Sequence, residues 1–431
     1  MPQSNVVITG VGVVSPIGIG CDAFWDSMSS MRSGIRSLAE RTDDGPQPTG
    51  GSTPEGLWIG GPILDFDPKQ YVRPRKALKV MCREIQISFA ASQLAVEHAG
   101  LSDSFPATVG GAVEPKDVGT VFGSEMFYGP PSEMEDAVRA CMNEQGEIDA
   151  SLFGGMAQKN IMPLWMLKYL PNMPACHVGI SLNAHGPNNT QVLGDVSAFA
   201  ATTEAASCIE RGIAKVVFAG ATGTRIGATR LNYRGDLPIA SVHDPVELSS
   251  RPHDPQSQGV VGAEGAGTIV LECAEHAKQR NHIPLARIAS YAARFVSPNS
   301  QRGSATAIQL AIEAAMKDAE VSADQIGLVV SHAMGDPQID AAERAALSST
   351  LPGRPVVAPI ALVGHTGAAC GSIGLATAAM ALHSQTVPPT PRTKTTEDVG
   401  FSDKAAPMQG EFALALSHTS QGNAIAILLK A

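Results

Sequence analysis

The stretch that decides the fold is GPNNTQVLGDVSAFAATTEAASCIERGIAKVVFAG, which covers residues 186–220. From Val196 to Arg211 a small or apolar side chain lies on nearly every face, which is typical of a buried helix. Asp195 stands at the N-cap position of this helix, and Gly212 stands where the chain leaves it. The apolar run at residues 215–220 predicts a buried strand. A buried helix that leads into a buried strand indicates parallel α/β winding.

The same alternation of elements runs through the rest of the chain. Apolar runs predict strands over 6–14, 286–291, 326–330 and 423–429, and helical spacing predicts helices over 90–99, 305–319 and 371–382. The stretch 41–57, rich in Gly, Pro, Thr and Asp, predicts an exposed loop. Similar element order in two stretches predicts an internal duplication. We place the N-terminal half at 1–273 and the C-terminal half at 274–431, fused in one compact body.

The composition is typical of a soluble intracellular protein with a large core. The chain has 431 residues, of which 44% are hydrophobic and 43 are glycine. Its net charge of −10, without a basic run, argues against nucleic acid and against anionic partners. Seven scattered cysteines without a CxxC pair predict reduced thiols and no metal site. We also expect no cofactor. No signal peptide and no membrane span are predicted, so we expect a cytoplasmic protein.

Five stretches carry the landmarks of a known enzyme family. They are VVITGVGVVSPIG (6–18), AFWDSMSSMRSGI (23–35), MPLWMLKYLPNMPACHVGISLNAHGPNNT (162–190), RPHDPQSQGVVGAEGAGTIVLECAEHA (251–277) and ALHSQTVPPTPRT (381–393). In their order and spacing they resemble the β-ketoacyl-(acyl carrier protein) synthases of type I and type II. Together they span nearly the whole chain.

This resemblance implies a fold, a chemistry and partners. The implied fold is a thiolase-like α/β fold of five layers, α-β-α-β-α, from two duplicated halves. In the family, a cysteine at the N-terminus of a buried helix takes an acyl chain from a carrier, and two histidines help to decarboxylate a malonyl unit. The implied partners are an acyl carrier protein or an acyl-CoA thioester. The implied assembly is a homodimer, or a heterodimer with an active synthase.

The position of the family's cysteine is occupied by Asp195. In the family pattern the cysteine follows the glycine of GPN by nine residues, and counting from Gly186 gives Asp195, with the later landmarks in step. A carboxylate is stabilised at a helix N-terminus, but it is a poor nucleophile and opposes a developing oxyanion. We therefore predict no ordinary condensation by this chain alone. Asp195 is then either a helix cap or a group of altered chemistry.

Two histidines match those of the family. His332 is followed by Glu343 at the family's spacing of eleven, and His365 lies in the motif VGHTGAA. With Asp195 they form the candidate catalytic set. The alternative is that both are core histidines whose hydrogen bonds are satisfied.

Several pocket positions depart from the family. The two threonines that would bind a pantetheine arm are replaced by Met334 and Asp336. The lysine five residues before His365 is replaced by Ile360. Its glutamate partner, Glu264, must therefore be hydrated or find other donors.

Three further positions are candidates for the pocket. The family's gate of GFGGTN type becomes residues 419–423, TSQGN, without the phenylalanine. His418 and Thr419 would then line the pocket, or form no more than a polar loop. Cys370 lies five residues after His365 and belongs either to the pocket or to the packing around it.

Four functions fit these residues. The first is a non-condensing partner of an active synthase, similar to the chain-length factors of polyketide systems. The second is an enzyme of altered chemistry, either a malonyl decarboxylase that uses His332 and His365, or an acyltransferase or hydrolase that uses Asp195 as a general base. The third is an ordinary 3-oxoacyl-carrier-protein synthase. The fourth is a protein that binds acyl chains without turnover.

Overall fold

The fold is described by a computed structural model for residues 5–38, 59–226, 237–240, 243–299, 303–391 and 399–431. The predicted loop at 41–57 lies outside these residues. The strands are β1 (Val6–Ser15), β2 (Gly18–Ile19), β3 (Arg36–Ser37), β4 (Ile59–Gly60), β5 (Val118–Gly123), β6 (Asn188–Gln191), β7 (Val216–Thr224), β8 (Glu264–Cys273), β9 (Ala286–Phe295), β10 (Ile326–Val330), β11 (Val356–Val357), β12 (Thr386–Val387), β13 (Ala406–Pro407), β14 (Phe412–His418) and β15 (Asn423–Lys430).

The helices alternate with these strands along the chain. They are α1 (Cys21–Ser29), α2 (Arg83–His98), α3 (Ser132–Arg139), α4 (Phe153–Asn160), α5 (Met173–Leu182), α6 (Ser197–Glu210), α7 (Ala274–Gln279), α8 (Gly303–Asp318), α9 (Pro337–Thr350), α10 (Ile360–Val363) and α11 (Cys370–Ser384). Short 3₁₀ turns at Gly194–Val196 and Gly367–Ala369 precede α6 and α11. These two helices are therefore entered in the same way.

The sheet topology repeats between the two halves. From the centre outward the first half runs β1, β8, β7, β5, β6, and the second runs β9, β15, β14, β10, β11. We count the five strands that each half contributes to this order, in chain order. In both halves the first of the five is central, and the fifth, fourth, second and third follow it outward. The pairings also match, since β5 is parallel to β6 and β7, and β10 is parallel to β11 and β14. The predicted duplication and parallel α/β winding are confirmed.

The elements stack in the five layers that the family resemblance implies. α2 and α5 cover the outer face of the first half, and α8 and α9 cover that of the second. α6 and α11 pack against each other between the halves, where small and apolar side chains from both form the largest core. Alanine and glycine permit this close approach. At Gly12 of β1, for example, a Cβ would lie 2.0 Å from the carbonyl oxygen of Ala91 in α2.

The sheet continues across the boundary between the two halves. β1 and β9 pair through Val7 with Arg287 and Ile8 with Ala286, so that eleven strands form one sheet. The proposed boundary after residue 273 coincides with the end of β8, and it stays a prediction. Among the described residues, none of the helices is both long and apolar enough to span a membrane.

Candidate active site

Asp195 lies in the turn Gly194–Val196 before α6, but it does not cap the helix. α6 begins at Ser197, and no side chain caps its N-terminus, so the predicted N-cap role is wrong. The Ser197 hydroxyl donates to the Gly194 carbonyl at 2.6 Å and accepts from the Leu193 N–H at 2.8 Å, which fixes the turn. The Asp195 carboxylate turns inward instead and is 14% exposed.

The partner of this carboxylate is His365. Nε2 of His365 lies 3.4 Å from Oδ1 of Asp195, and the imidazole is 1% exposed. Backbone hydrogen bonds from His365 N–H to the Val261 carbonyl (2.8 Å) and from Ala263 N–H to the His365 carbonyl (2.9 Å) fix its loop. Burial would raise the pKa of Asp195, but His365, His332 and Arg225 hold it well below its usual range. Asp195 is therefore an anion at neutral pH.

His332 follows β10 and faces the same site as a neutral imidazole. Burial, reinforced by the nearby His418, lowers the pKa of His332 to about 3. Its Nε2 has no hydrogen-bond partner among the described residues. A neutral imidazole with a free ring nitrogen can donate or accept a hydrogen bond to a small molecule, which is the capacity that the family chemistry requires.

His418 is held by Glu343 and is not part of a polar loop. It ends β14, is 3% exposed, and its Nε2 lies 2.6 Å from Oε2 of Glu343. The same oxygen accepts from the His332 N–H at 3.2 Å, while Oε1 lies 3.6 Å from Nε2 of His253. Burial would raise the pKa of Glu343, but His253 and His418 hold it well below its usual range. Only the spacing of Glu343 from His332 indicated this role in the sequence.

A small cavity lies next to His332. It has room for about one water molecule. Met334 is fully buried beside it and packs with Val260, Ile360 and Cys370. The cavity is lined by Ser331, His332, Pro359, Ile360, Val363, Gly364, Thr366, Cys370, Ile373, Gly374 and Leu416. It is too small for an acyl chain, which would need side chains to move.

Two predicted pocket residues serve local structure instead. Asp336 caps α9, because its carboxylate accepts the N–H groups of Gln338 (2.9 Å) and Ile339 (3.0 Å). Thr419 closes the turn between β14 and β15, where its hydroxyl accepts the N–H of Asn423 at 3.4 Å. Neither residue lines the cavity.

Cys370 lines the cavity but is not poised as a nucleophile. Burial and the charge of Asp195 raise its pKa to about 12, and its sulfur accepts the Thr366 N–H at 3.2 Å. A thiol needs to ionise in order to attack. At neutral pH Cys370 is therefore inert, and the other cysteines lie away from the cavity.

The glutamate left by the missing lysine has found another partner. Glu264 is bound by Arg83, with Nε to Oε2 at 3.0 Å and Nη2 to Oε1 at 3.1 Å, and it accepts the Ile63 N–H at 2.8 Å. Arg83 and the Ile63 N–H are thus the other donors that the sequence predicted Glu264 to need. The sequence indicated the need but not the donor, since Arg83 lies 181 residues away.

A second buried ion pair near the site was missed in the sequence. Arg225 and Glu125 lie at the ends of β7 and β5, with Nη1 2.5 Å from Oε1. No motif marks either residue. Among the described residues, no group of three or more His, Cys, Asp and Glu side chains is arranged to hold a metal ion.

These contacts determine what the arrangement offers chemically. It contains a largely buried carboxylate, an imidazole whose Nε2 lies 3.4 Å from that carboxylate, and a neutral imidazole beside a small, mostly apolar cavity. It offers proton transfer and hydrogen bonding, but no thiolate within reach of the cavity.

Comparisons with known proteins identify one family over nearly the whole chain. The family model "Beta-ketoacyl synthase, N-terminal domain" matches residues 3–277, and "Beta-ketoacyl synthase, C-terminal domain" matches residues 285–394. The chain is 28% identical to "Putative polyketide beta-ketoacyl synthase 2" of Streptomyces halstedii, over 99% of this chain and 97% of that protein. It is 29% identical to "3-oxoacyl-[acyl-carrier-protein] synthase 2" of Vibrio cholerae, over 90% and 89%.

A solved structure shares the fold over the whole chain. "The ishigamide ketosynthase/chain length factor" superposes with a TM-score of 0.80 at 22% identity, and covers 100% of this chain and 99% of that one. The two family models together match far more than half of the chain, and both duplicated halves are included. The chain therefore belongs to the β-ketoacyl synthase family.

Proposed function

We propose that this chain is a non-condensing subunit that pairs with an active β-ketoacyl synthase and shapes the space for the growing acyl chain. The observation that carries the proposal is the contact between Asp195 and His365 at the start of α6. An ionised carboxylate stands where the family places its nucleophile, and Nε2 of one of the two histidines lies 3.4 Å from it. Acyl transfer to this chain then has no acceptor atom of ordinary reactivity.

The environment of the cavity supports the same reading. Cys370 is the one cysteine that lines it, and its raised pKa removes the thiolate. Met334 and Ile360 fill positions at which the family uses polar contacts, and both are buried. The cavity is small and mostly apolar, which suits a wall for an acyl chain better than a catalytic pocket.

One face of the chain is suited to a partner of the same fold. β6 ends the sheet and pairs only with β5 among the described strands, so its outer edge is open to a further strand. Large apolar side chains lie on or near this edge: Met126, Ile180, Val192 and Leu193, which are between 43% and 78% exposed. An exposed apolar surface beside an open strand edge favours a protein interface. The ishigamide structure is described as a ketosynthase/chain length factor.

A local cluster of positive charge supports an acidic carrier protein as a further partner. Five exposed cations lie within eleven residues: Lys69, Arg73, Arg75, Lys76 and Lys79. Arg75, Lys76 and Lys79 form no ion pair with the described residues. The net charge of −10 hides this cluster, although local charge steers association. The Vibrio relative is named for an acyl carrier protein.

Product analysis tests the proposal. The chain is incubated with malonyl- and acyl-carrier proteins, alone and then with an active β-ketoacyl synthase encoded beside it, and the chain lengths of the products are compared. We expect no product from the chain alone and a changed length distribution with the partner. Elongation by the chain alone would overturn the proposal, and so would an unchanged distribution from a purified complex.

One observation favours a second candidate, a malonyl decarboxylase. His332 is neutral, lines the cavity and has a free Nε2, so it can hydrogen-bond the thioester oxygen of a malonyl group. The anionic Asp195 opposes this activity because it repels both the malonyl carboxylate and the enolate. Release of carbon dioxide without elongation in the same incubation would favour the second candidate.

A further inference from the structure

The ion pair between Glu125 and Arg225 lies behind the site and has no role in the family chemistry described above. The two side chains are 3% and 8% exposed. Glu125 follows β5 and Arg225 follows β7, and these strands are parallel neighbours, so both residues emerge at the same sheet edge. Glu125 Oε1 also accepts the Thr224 N–H at 3.3 Å. Such a pair is costly to bury and is weak evidence for stability, which directs attention to another role.

The pair packs directly against the loop that carries His365. A Cβ on Gly367 would lie 2.5 Å from Oε2 of Glu125 and 2.7 Å from Cζ of Arg225, so glycine is required at this point. Gly367 also has a φ of +64°, which favours glycine independently. Glu125 Oε2 further accepts the Ala368 N–H at 3.5 Å.

The same loop connects the pair to the Asp195–His365 contact. The backbone N–H of Arg225 donates to the Ala263 carbonyl at 2.8 Å, and the backbone N–H of Ala263 donates to the His365 carbonyl at 2.9 Å. The turn Gly367–Ala369 packs on the turn Gly194–Val196, which carries Asp195. Arg225 is therefore linked to both members of the contact, and its charge favours the ionised form of Asp195.

We propose that Glu125 and Arg225 are positioning residues, which hold the turn Gly367–Ala369 and, through it, the His365 imidazole in place at the start of α6. Glu125 anchors the guanidinium and accepts the Ala368 N–H, and the two side chains form the surface on which the Gly367 turn rests. The inference deepens the proposed function and rests on it, because it identifies what keeps His365 beside the carboxylate at the position of the family's nucleophile. Its test does not require that the partner assay succeed.

The test compares two double variants of the full chain. Glu125→Gln/Arg225→Met removes both charges, so that neither is left buried alone. The matched control is Glu272→Gln/Arg280→Met, which removes another ion pair, with contacts of 2.8 Å, at the opposite end of β8. The imidazole resonances of His365 are read by NMR from protein labelled with ¹⁵N at histidine, and His365→Gln assigns the signal.

The proposal predicts that the imidazole resonances of His365 move in Glu125→Gln/Arg225→Met, since the side chains that support the Gly367 turn are lost. It predicts no change of these resonances in the control, even where thermal stability falls. Unchanged resonances of His365, or an equal change in both variants, would show that the pair is merely structural.

If the first double variant does not fold, Arg225→Lys decides the matter. Lysine keeps the cation but not the flat guanidinium beside Gly367, so the imidazole resonances of His365 are expected to move. Resonances of His365 identical to those of the wild-type chain would overturn the positioning role. Both measurements are made on this chain alone, so a failure here is distinct from a failure of the partner assay.

Discussion

Asp195→Cys restores the family's nucleophile and measures the site directly. At pH 8 the thiolate fraction of Cys370 is about 10⁻⁴, because its pKa is about 12. A thiol introduced at position 195 starts from a pKa of about 8.5. The N-terminus of α6 favours the thiolate by about 0.3–1 kcal/mol, or about 0.2–0.7 pH units. About half of the introduced thiol is then ionised at pH 8.

The expected rate of alkylation follows from these fractions. With iodoacetamide at pH 8, the introduced thiol is expected to react faster than Cys370, by up to about 10³- to 10⁴-fold. The variant lacks the charge of Asp195, so burial, the larger of the two causes, is what still raises the pKa of Cys370 there. Peptide mass spectrometry measures both sites in one sample, and Asp195→Ser serves as the matched control. Comparable labelling of Cys370 in the folded Asp195→Ser variant would refute the account of a buried, un-ionised thiol. The reactive variant is still expected not to condense alone, because Met334 and Ile360 offer no polar contact to a carrier arm.

Three further outcomes follow from the contacts. The depressed pKa of Asp195 contributes stability above about pH 4, which is lost as the pH falls through the folded-state pKa. In urea unfolding, the advantage of the wild-type chain over Asp195→Asn should therefore shrink below about pH 4, and a constant difference would contradict this. His418→Ala removes the partner at 2.6 Å from Glu343 and leaves His253 at 3.6 Å, so it should destabilise the chain by up to about 3–5 kcal/mol, whereas His418→Gln should cost less. Equal losses in thermal unfolding would argue against the hydrogen bond between His418 and Glu343. Lys76→Glu/Lys79→Glu should weaken carrier-protein binding in a salt-dependent way, and calorimetry that finds equal affinity would remove this surface from the proposal.

The fold was predictable because its decisive elements carry local patterns. The helix predicted over 196–211 is observed as Ser197–Glu210, and the strand at 326–330 is observed unchanged. Small residues on all faces can be placed only between layers, so α6 and α11 identify the centre of the molecule. The ends of the elements were predicted less accurately. For example, α2 begins at Arg83, seven residues before the predicted start at residue 90.

The site was predictable in its positions but not in its contacts. The spacing in the sequence identified Asp195, His332 and His365 as positions of the site. It did not show that the Asp195 carboxylate lies beside His365 instead of accepting the N–H groups at the start of α6. The replacement of the lost lysine by Arg83 depends on a contact across 181 residues. Such pairs leave no periodic signal, because a single charged residue in an apolar stretch does not indicate its partner.

The pair Glu125–Arg225 and the cation cluster at 69–79 were missed for related reasons. The first joins residues 100 positions apart in two parallel strands, and only the sheet order brings them together. The cation cluster is not visible in the net charge, because the net charge sums over the whole chain. A partner protein interacts with only one part of the surface. Both are local electrostatic features that depend on the folded arrangement.

The most direct test of the central claim is to determine which chain carries the acyl group. The purified complex with an active synthase is loaded with acyl-carrier protein, and the intact masses of both chains are measured before malonyl-carrier protein is added. The account predicts an acyl adduct on the partner synthase alone, with this chain at its unmodified mass. An acyl adduct on this chain would contradict the account and would identify Asp195 or Cys370 as an acceptor.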